Sequence, residues 1–346
     1  MPPAPGKRTP AAALTRTPLK RPAVPVVDVE ARGPLALPRS RRPSILPEGP
    51  FAVPISTMDW LVSRESPAVR FVTLRDLLQR PPKDIELRKA RQGLSADPYL
   101  RDALPLLRRA LQQGPLDTRY GGGLWQTLFL LDLGCDASQP ELARAGDALL
   151  AWWQLTFVEI ERNQDSRIDL GLFSQSLRAL VRLGYGEDPR VLAGAELVAR
   201  RRIASSAAAL DPAPLVKDLL LFSEIPKPLW RPPMHQATEF AVARLLAKGV
   251  VLETRLNFPN ADETDLLEAL WALSRCGVPR KPEVEPLLGK LASRADHRGR
   301  FRLDVPQAAK LPLPLERDGE LSRWVTVRGL CVMQHFAGLT VAEKRT

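Results

Sequence analysis

Cysteine, histidine and tyrosine are scarce in this 346-residue chain, with three of each. Cys135, Cys276 and Cys331 are odd in number and widely spaced, and no CxxC pair occurs. That excludes a disulfide framework and a cysteine-rich zinc site, and it suits a reducing compartment, so we expect a cytoplasmic protein. Each cysteine lies within or at the end of an apolar helical run, where a thiol acts as a small buried hydrophobe. His235, His297 and His335 stand far apart among solvent-type residues or near the terminus. No metal and no cofactor are expected. No apolar stretch approaches the roughly 18–20 residues that span a bilayer. No apolar run of about 7–15 residues follows the basic N-terminus, so no secretory leader is expected. An Arg-rich organelle leader is opposed by the frequency of proline, which an amphipathic helix does not tolerate. The one glycine run, Gly121-Gly122-Gly123, lacks a following Lys-Ser/Thr and a preceding strand. It reads as a flexible turn into a helix and not as a phosphate loop.

The first fifty residues lack something else: no aromatic residue precedes Phe51. The same stretch holds twelve of the 34 prolines. Proline fixes φ and removes the amide donor, so this density forbids helix and discourages sheet. A disordered tail with polyproline II character is expected over 1–53, ahead of a folded domain over 54–340. Deleting residues 1–50 should then leave the melting temperature nearly unchanged. Nine Lys/Arg and three acids give the first fifty residues a net charge of +6, out of +11 for the whole chain. The folded part is only mildly basic. A nucleic-acid role would rest on the tail, where phosphate attraction is unspecific and salt-sensitive. Nucleic acid is therefore not the expected partner, and a protein partner for the tail is the alternative to a bare solvated extension.

What is abundant is apolar periodicity. Hydrophobic residues make up 45% of the chain, enough for a large core. Val69, Val72, Leu74, Leu77 and Leu78 fall on one helical stripe. So do Leu124, Leu128, Leu131 and Leu133, and again Leu266, Leu267, Leu270, Trp271 and Leu273. Alternating β-branched runs are nearly absent. The pattern predicts about twelve helices and no strand. The helices recur as a unit. An apolar helix ends in a residue-Gly pair, a short turn follows, and a Pro opens the next helix. Leu133-Gly134 precedes Pro140, Leu183-Gly184 precedes Pro189, and Cys276-Gly277 precedes Pro282. Glycine takes the left-handed C′ position, and Pro at the first helical position forfeits no hydrogen bond. Pro232-Pro233 falls where a further copy should begin, and Pro81-Pro82 opens a plausible first copy. A period near 45–50 residues means stacked helical hairpins, each needing neighbours to bury its faces.

The order and spacing of several segments resemble the prenyltransferase and squalene-cyclase repeat superfamily, closest to bacterial members whose function is not established. The likeness is carried by Trp60-Leu61-Val62 with Ser66-Pro67-Ala68-Val69-Arg70-Phe71, and by Thr73-Leu74-Arg75-Asp76-Leu77-Leu78. It continues through Leu124-Trp125-Gln126-Thr127 to Asp132-Leu133-Gly134. It resumes at Leu177-Arg178-Ala179-Leu180 with Gly184-Tyr185-Gly186-Glu187-Asp188-Pro189, and ends at Ser322-Arg323-Trp324-Val325-Thr326-Val327-Arg328. It spans roughly residues 56–337. The resemblance implies an all-α fold, an α/α toroid with two concentric helix layers around a central cavity. Repeats there often end in a Gly-rich turn and a Trp that clamp adjacent units. Arg298-Gly299-Arg300-Phe301 keeps that shape with Phe for Trp, whereas Ser205-Ser206-Ala207-Ala208-Ala209 has lost both residues.

The motifs that carry catalysis in that superfamily are not found. Protein prenyltransferases hold zinc with Asp, Cys and His, and no matching trio occurs. Class II terpene cyclases protonate an alkene from an Asp-rich motif. The nearest stretch is Asp262-Glu263-Thr264-Asp265, whose spacing differs, and its acids sit where a helix N-terminus wants them. As a mere cap, Asp265 would cost on the order of 1 kcal/mol when changed to Ala. Trp125, Gln126, Trp271 and Trp324 lie on proposed inner helices and are the candidates to line an apolar cavity. Of the adjacent Trp152-Trp153, one must turn away from the other's face. The leading expectation is a non-catalytic α/α toroid that binds an apolar, isoprenoid-like small molecule or a protein partner. One alternative is a divergent prenyltransferase-like or terpene-cyclase-like enzyme with Asp262 or Asp265 as its acid. The other is a helical-repeat scaffold that binds nucleic acid or protein through its basic tail, with Arg200-Arg201-Arg202 the nearest thing to a basic stripe.

Overall fold

The structure, a computed structural model of the chain, describes residues 49–162, 169–204, 211–307 and 310–342, with backbone alone over 159–162. The Pro-rich tail before residue 49 and the Ser205–Ala209 stretch lie outside the described residues. Among the described residues there are thirteen α-helices and four short strands. Six helices form the inner layer: α2 (Pro67–Val72), α5 (Gly123–Asp132), α7 (Leu170–Leu180), α9 (Ala213–Glu224), α11 (Leu266–Arg275) and α13 (Arg323–Ala337). Around them lie α3 (Ile85–Gly93), α4 (Pro98–Gln113), α6 (Pro140–Arg162), α8 (Pro189–Ala204), α10 (Pro232–Leu245) and α12 (Glu285–Ala292), with α1 (Ile55–Leu61) at the start.

Composition explains which layer each helix joins. In α5 every residue from Gly123 to Leu131 is buried, and in α7 every residue from Phe173 to Leu180. A helix as apolar as α5 needs protein on all sides, and α7 buries Ser174, Gln175, Ser176 and Arg178 along with its apolar residues. By contrast α4 buries only Leu100, Ala103 and Leu107 and turns its charges outward. Starts are fixed by side-chain caps: Asp97 accepts from the Tyr99 and Leu100 amides, Asp169 from Gly171 and Leu172, and Ser322 from Val325. Pro140, Pro189 and Pro232 open α6, α8 and α10, as the repeat predicts. Pro282 instead lies in the turn before α12.

The ring closes. Each inner helix packs on the next, from α5 through α7, α9 and α11 to α13, and α13 returns to α2. Gly134, just past α5, abuts Phe71 and Val72 of α2. The architecture is the expected α/α toroid. Its seam carries what the sequence did not predict. Strand β1 (Phe51–Pro54) pairs in parallel with β4 (Leu339–Ala342), Phe51 opposite Leu339 and Pro54 opposite Ala342. The folded domain therefore starts at least three residues earlier than 54 and runs past 340. A second small pair joins β2 (Phe301–Arg302) to β3 (Leu321–Ser322), antiparallel. The glycine run also differs from expectation. A Cβ on Gly122 would lie 2.5 Å from the Leu116 carbonyl oxygen, and one on Gly123 would lie 2.8 Å from Leu111 and Leu116 side-chain carbons. It is a tight, packed entry to α5 and not a loose one.

Candidate functional site

Two inner helices end in irregular last turns, α2 in a π-helical turn over Thr73–Leu77 and α7 in a turn over Val181–Tyr185 that Gly184, at φ +102, breaks. They carry Arg75, Asp76 and Arg182. At the same level Asp132 ends α5, Glu224 ends α9 and Arg275 ends α11. Asp132, Arg182 and Arg275 each stand two residues before the glycine that stops their helix, Gly134, Gly184 and Gly277. Ring closure gathers these repeat-equivalent charges around a cavity of about 500 Å³.

Asp132 is the hub of the wall. It accepts from Arg178 at 2.8 Å and from Arg182, and Arg328 of α13 approaches to 3.6 Å. Burial penalises the charged form, yet the three guanidiniums hold its carboxyl well below the usual carboxylate range. Arg75 pairs with Asp76 at 2.7 Å, and Glu224 lies 4.0 Å from Arg182 and 3.8 Å from Arg275. Aromatic rings complete the surface. Trp324 and Phe258 stack at 5.3 Å with 14° between their planes. The Arg328 guanidinium lies 4.4 Å from the Phe258 centroid and 5.5 Å from that of Trp271, and Arg275 is also 5.5 Å from Trp271. Cys135 and Cys331 line the same space. Burial pushes the Cys135 thiol up to about 12 and Cys331 higher still, so neither is a ready nucleophile.

Trp271 and Trp324, expected to line a cavity, do so. The expectation of an apolar lining does not describe this space, because arginines and carboxylates form much of it. Trp125 and Gln126 are not part of the lining. The Trp125 indole N–H donates to the Asp117 carbonyl at 3.3 Å, and Gln126 donates to the Tyr120 carbonyl at 2.5 Å. Both brace the turn into α5. They occupy the first turn of their helix, whereas the cavity is met by the last turns of α2, α5, α7, α9 and α11 and by the first turns of α13.

Asp262 and Asp265 are likewise not part of the lining. Asp262 is exposed and pairs with Arg119 at 2.6 Å. Asp265 caps α11, accepting from the Glu268 amide at 2.7 Å and from the Asn257 amide at 2.7 Å. Burial pushes its carboxyl up to about 6. Beside it the buried Lys217 ammonium donates to Glu268 at 2.7 Å. Arg200 pairs with Glu196, and Arg202 with Asp218 at 2.5 Å. Trp153 is buried against Phe157 and Phe173, while Trp152 is half-buried at the edge of the core. The His335 ring approaches the Val278 carbonyl and that of His235 packs on Trp230. Among the described residues no three His, Cys, Asp or Glu gather to hold a metal ion, and no helix is long and apolar enough to cross a membrane.

Comparison with family models, with characterised proteins and with solved structures finds no match.

Proposed function

We propose that this protein is a binding protein of the α/α-toroid type, whose central cavity takes a small molecule. The carrying observation is the cavity itself, with charges delivered from the same repeat position of successive inner helices. A core that needed only stability would place apolar residues there, since buried ion pairs seldom out-stabilise well-packed hydrocarbon. The volume lies within the range of ligand pockets, and flat rings with a few polar groups are the usual lining of one. The likeness to the prenyltransferase and squalene-cyclase superfamily supports the same reading, since members of that architecture work through a central cavity.

A binding role accounts for the carboxylates better than a catalytic one. Protonating an alkene needs a neutral carboxyl facing the substrate. Asp132 is held ionised by three arginines, and Asp76 and Glu224 have arginine partners. Asp265 has the raised affinity for a proton, but both its oxygens are engaged by backbone amides away from the cavity.

Native mass spectrometry of the purified protein tests the proposal. A retained small-molecule mass, lost after organic extraction and reduced in Trp271→Ala, is the expected result. A bare protein mass that stays bare after incubation with a cell extract would count against a ligand-binding role.

A further inference from the structure

The wall of the cavity contains a continuous stack: Trp324 on Phe258, Phe258 under Arg328, Arg328 beside Trp271, and Trp271 beside Arg275. A guanidinium held against aromatic rings has its planar faces occupied and its N–H donors directed outward in the plane. Those edges are poorly used here. The acids nearest to Arg328 and Arg275 lie at 3.6 and 3.8 Å, beyond hydrogen-bond reach. Among the described residues neither guanidinium makes a hydrogen bond, although the Arg328 side chain is only 11% exposed. The lining as a whole has six arginines, Arg75, Arg91, Arg178, Arg182, Arg275 and Arg328, against four acids, Asp76, Asp132, Asp136 and Glu224, an excess of two positive charges.

We infer that the ligand is an anion with a flat, apolar body, its carboxylate or phosphate held on the edges of Arg275 and Arg328 and its body against Trp271 and Trp324. This deepens the binding-protein reading and rests on it. An oxyanion would offset the charge excess and supply the in-plane acceptors that the two forks lack. A neutral apolar ligand would instead leave two stacked cations further desolvated, with no acceptor for their edges.

Two fluorescent probes with one skeleton separate the possibilities. Anilinonaphthalene sulfonate carries an anionic group, and phenylnaphthylamine is the same body without it. Each is titrated into the full-length protein and into Arg328→Gln, Arg275→Gln and Trp271→Leu, with folding of the variants checked by circular dichroism. The sulfonate should bind about tenfold tighter than its neutral parent, the worth of one charge-assisted hydrogen-bonded pair. That advantage should shrink in either arginine variant and, without any variant, on raising the salt concentration. If both probes bind equally well and both weaken in Trp271→Leu, the cavity binds ligands but the inference of an anion is overturned. If neither probe binds, or neither responds to Trp271→Leu, the cavity reading fails and the inference fails with it.

Discussion

Asp265 and Asp132 are two carboxylates buried in one ring with opposite proton affinities, and partners decide the difference. Asp132 meets three guanidiniums; Asp265 accepts from two backbone amides and faces the Glu268 charge, with the Lys217 ammonium already committed to Glu268. The folded-state pKa of Asp265, about 6, lies above its unfolded value of about 3.9. Between those values the folded chain holds a proton that the unfolded chain has released. The contribution of Asp265 is therefore fully present below about pH 4 and is lost as pH rises through 6. We expect the stability of the wild type relative to Asp265→Asn, read from urea unfolding, to fall by on the order of 2–3 kcal/mol between pH 4 and 7. A difference that stays constant over that range would refute this account of the site. The change to Ala should exceed the loss expected of an exposed cap, since it strands two buried amides.

Among the elements, the helix and the glycine that ends it were the most legible features of the sequence. The stripes of α2, α5 and α11, the proline starts of α6, α8 and α10, and the glycine stops all follow from local rules. The glycines are not equivalent in their surroundings. Gly277 has φ +74 and nothing within 4 Å of where a Cβ would stand. Gly134 has φ +97 and would place that Cβ 2.7 Å from the Phe71 ring. Gly277→Ala should cost about 1–2 kcal/mol for its backbone alone. Gly134→Ala should add roughly 1–3 kcal/mol of overpacking against α2. Equal losses in thermal unfolding would mean that α5 and α2 do not meet closely there. The charged residue two places before each glycine was equally visible. It reads locally as a solvated helix end, and only closure of the ring turns Asp132, Arg182 and Arg275 towards one space. The π-helical turn that carries Arg75 has no local signal either. Trp125 and Gln126 were misread for a related reason: periodicity puts them on an inner helix but does not say at which end the cavity lies.

At the scale of the molecule, the seam matters most. A four-residue strand beside a Pro-rich stretch has no pattern of its own. Its pairing with Leu339–Ala342 joins residues nearly the whole chain apart, which no local rule predicts. Val53 is fully buried there. A chain starting at Ile55 should melt on the order of 5 °C below one starting at Gly49, since it loses that pairing and a buried valine. Equal melting temperatures would show that the seam does not hold the ring shut.

The central claim is that the cavity inside this ring is where the protein meets its ligand. Hydrogen exchange, measured with and without a small-molecule extract of the cells that make the protein, tests it most directly. Protection should appear at the last turns of the inner helices, over residues 73–77, 131–135, 181–185 and 271–276, and on α13 around Arg328. Protection confined to the outer helices, or none in an extract shown by native mass spectrometry to bind, would contradict the account.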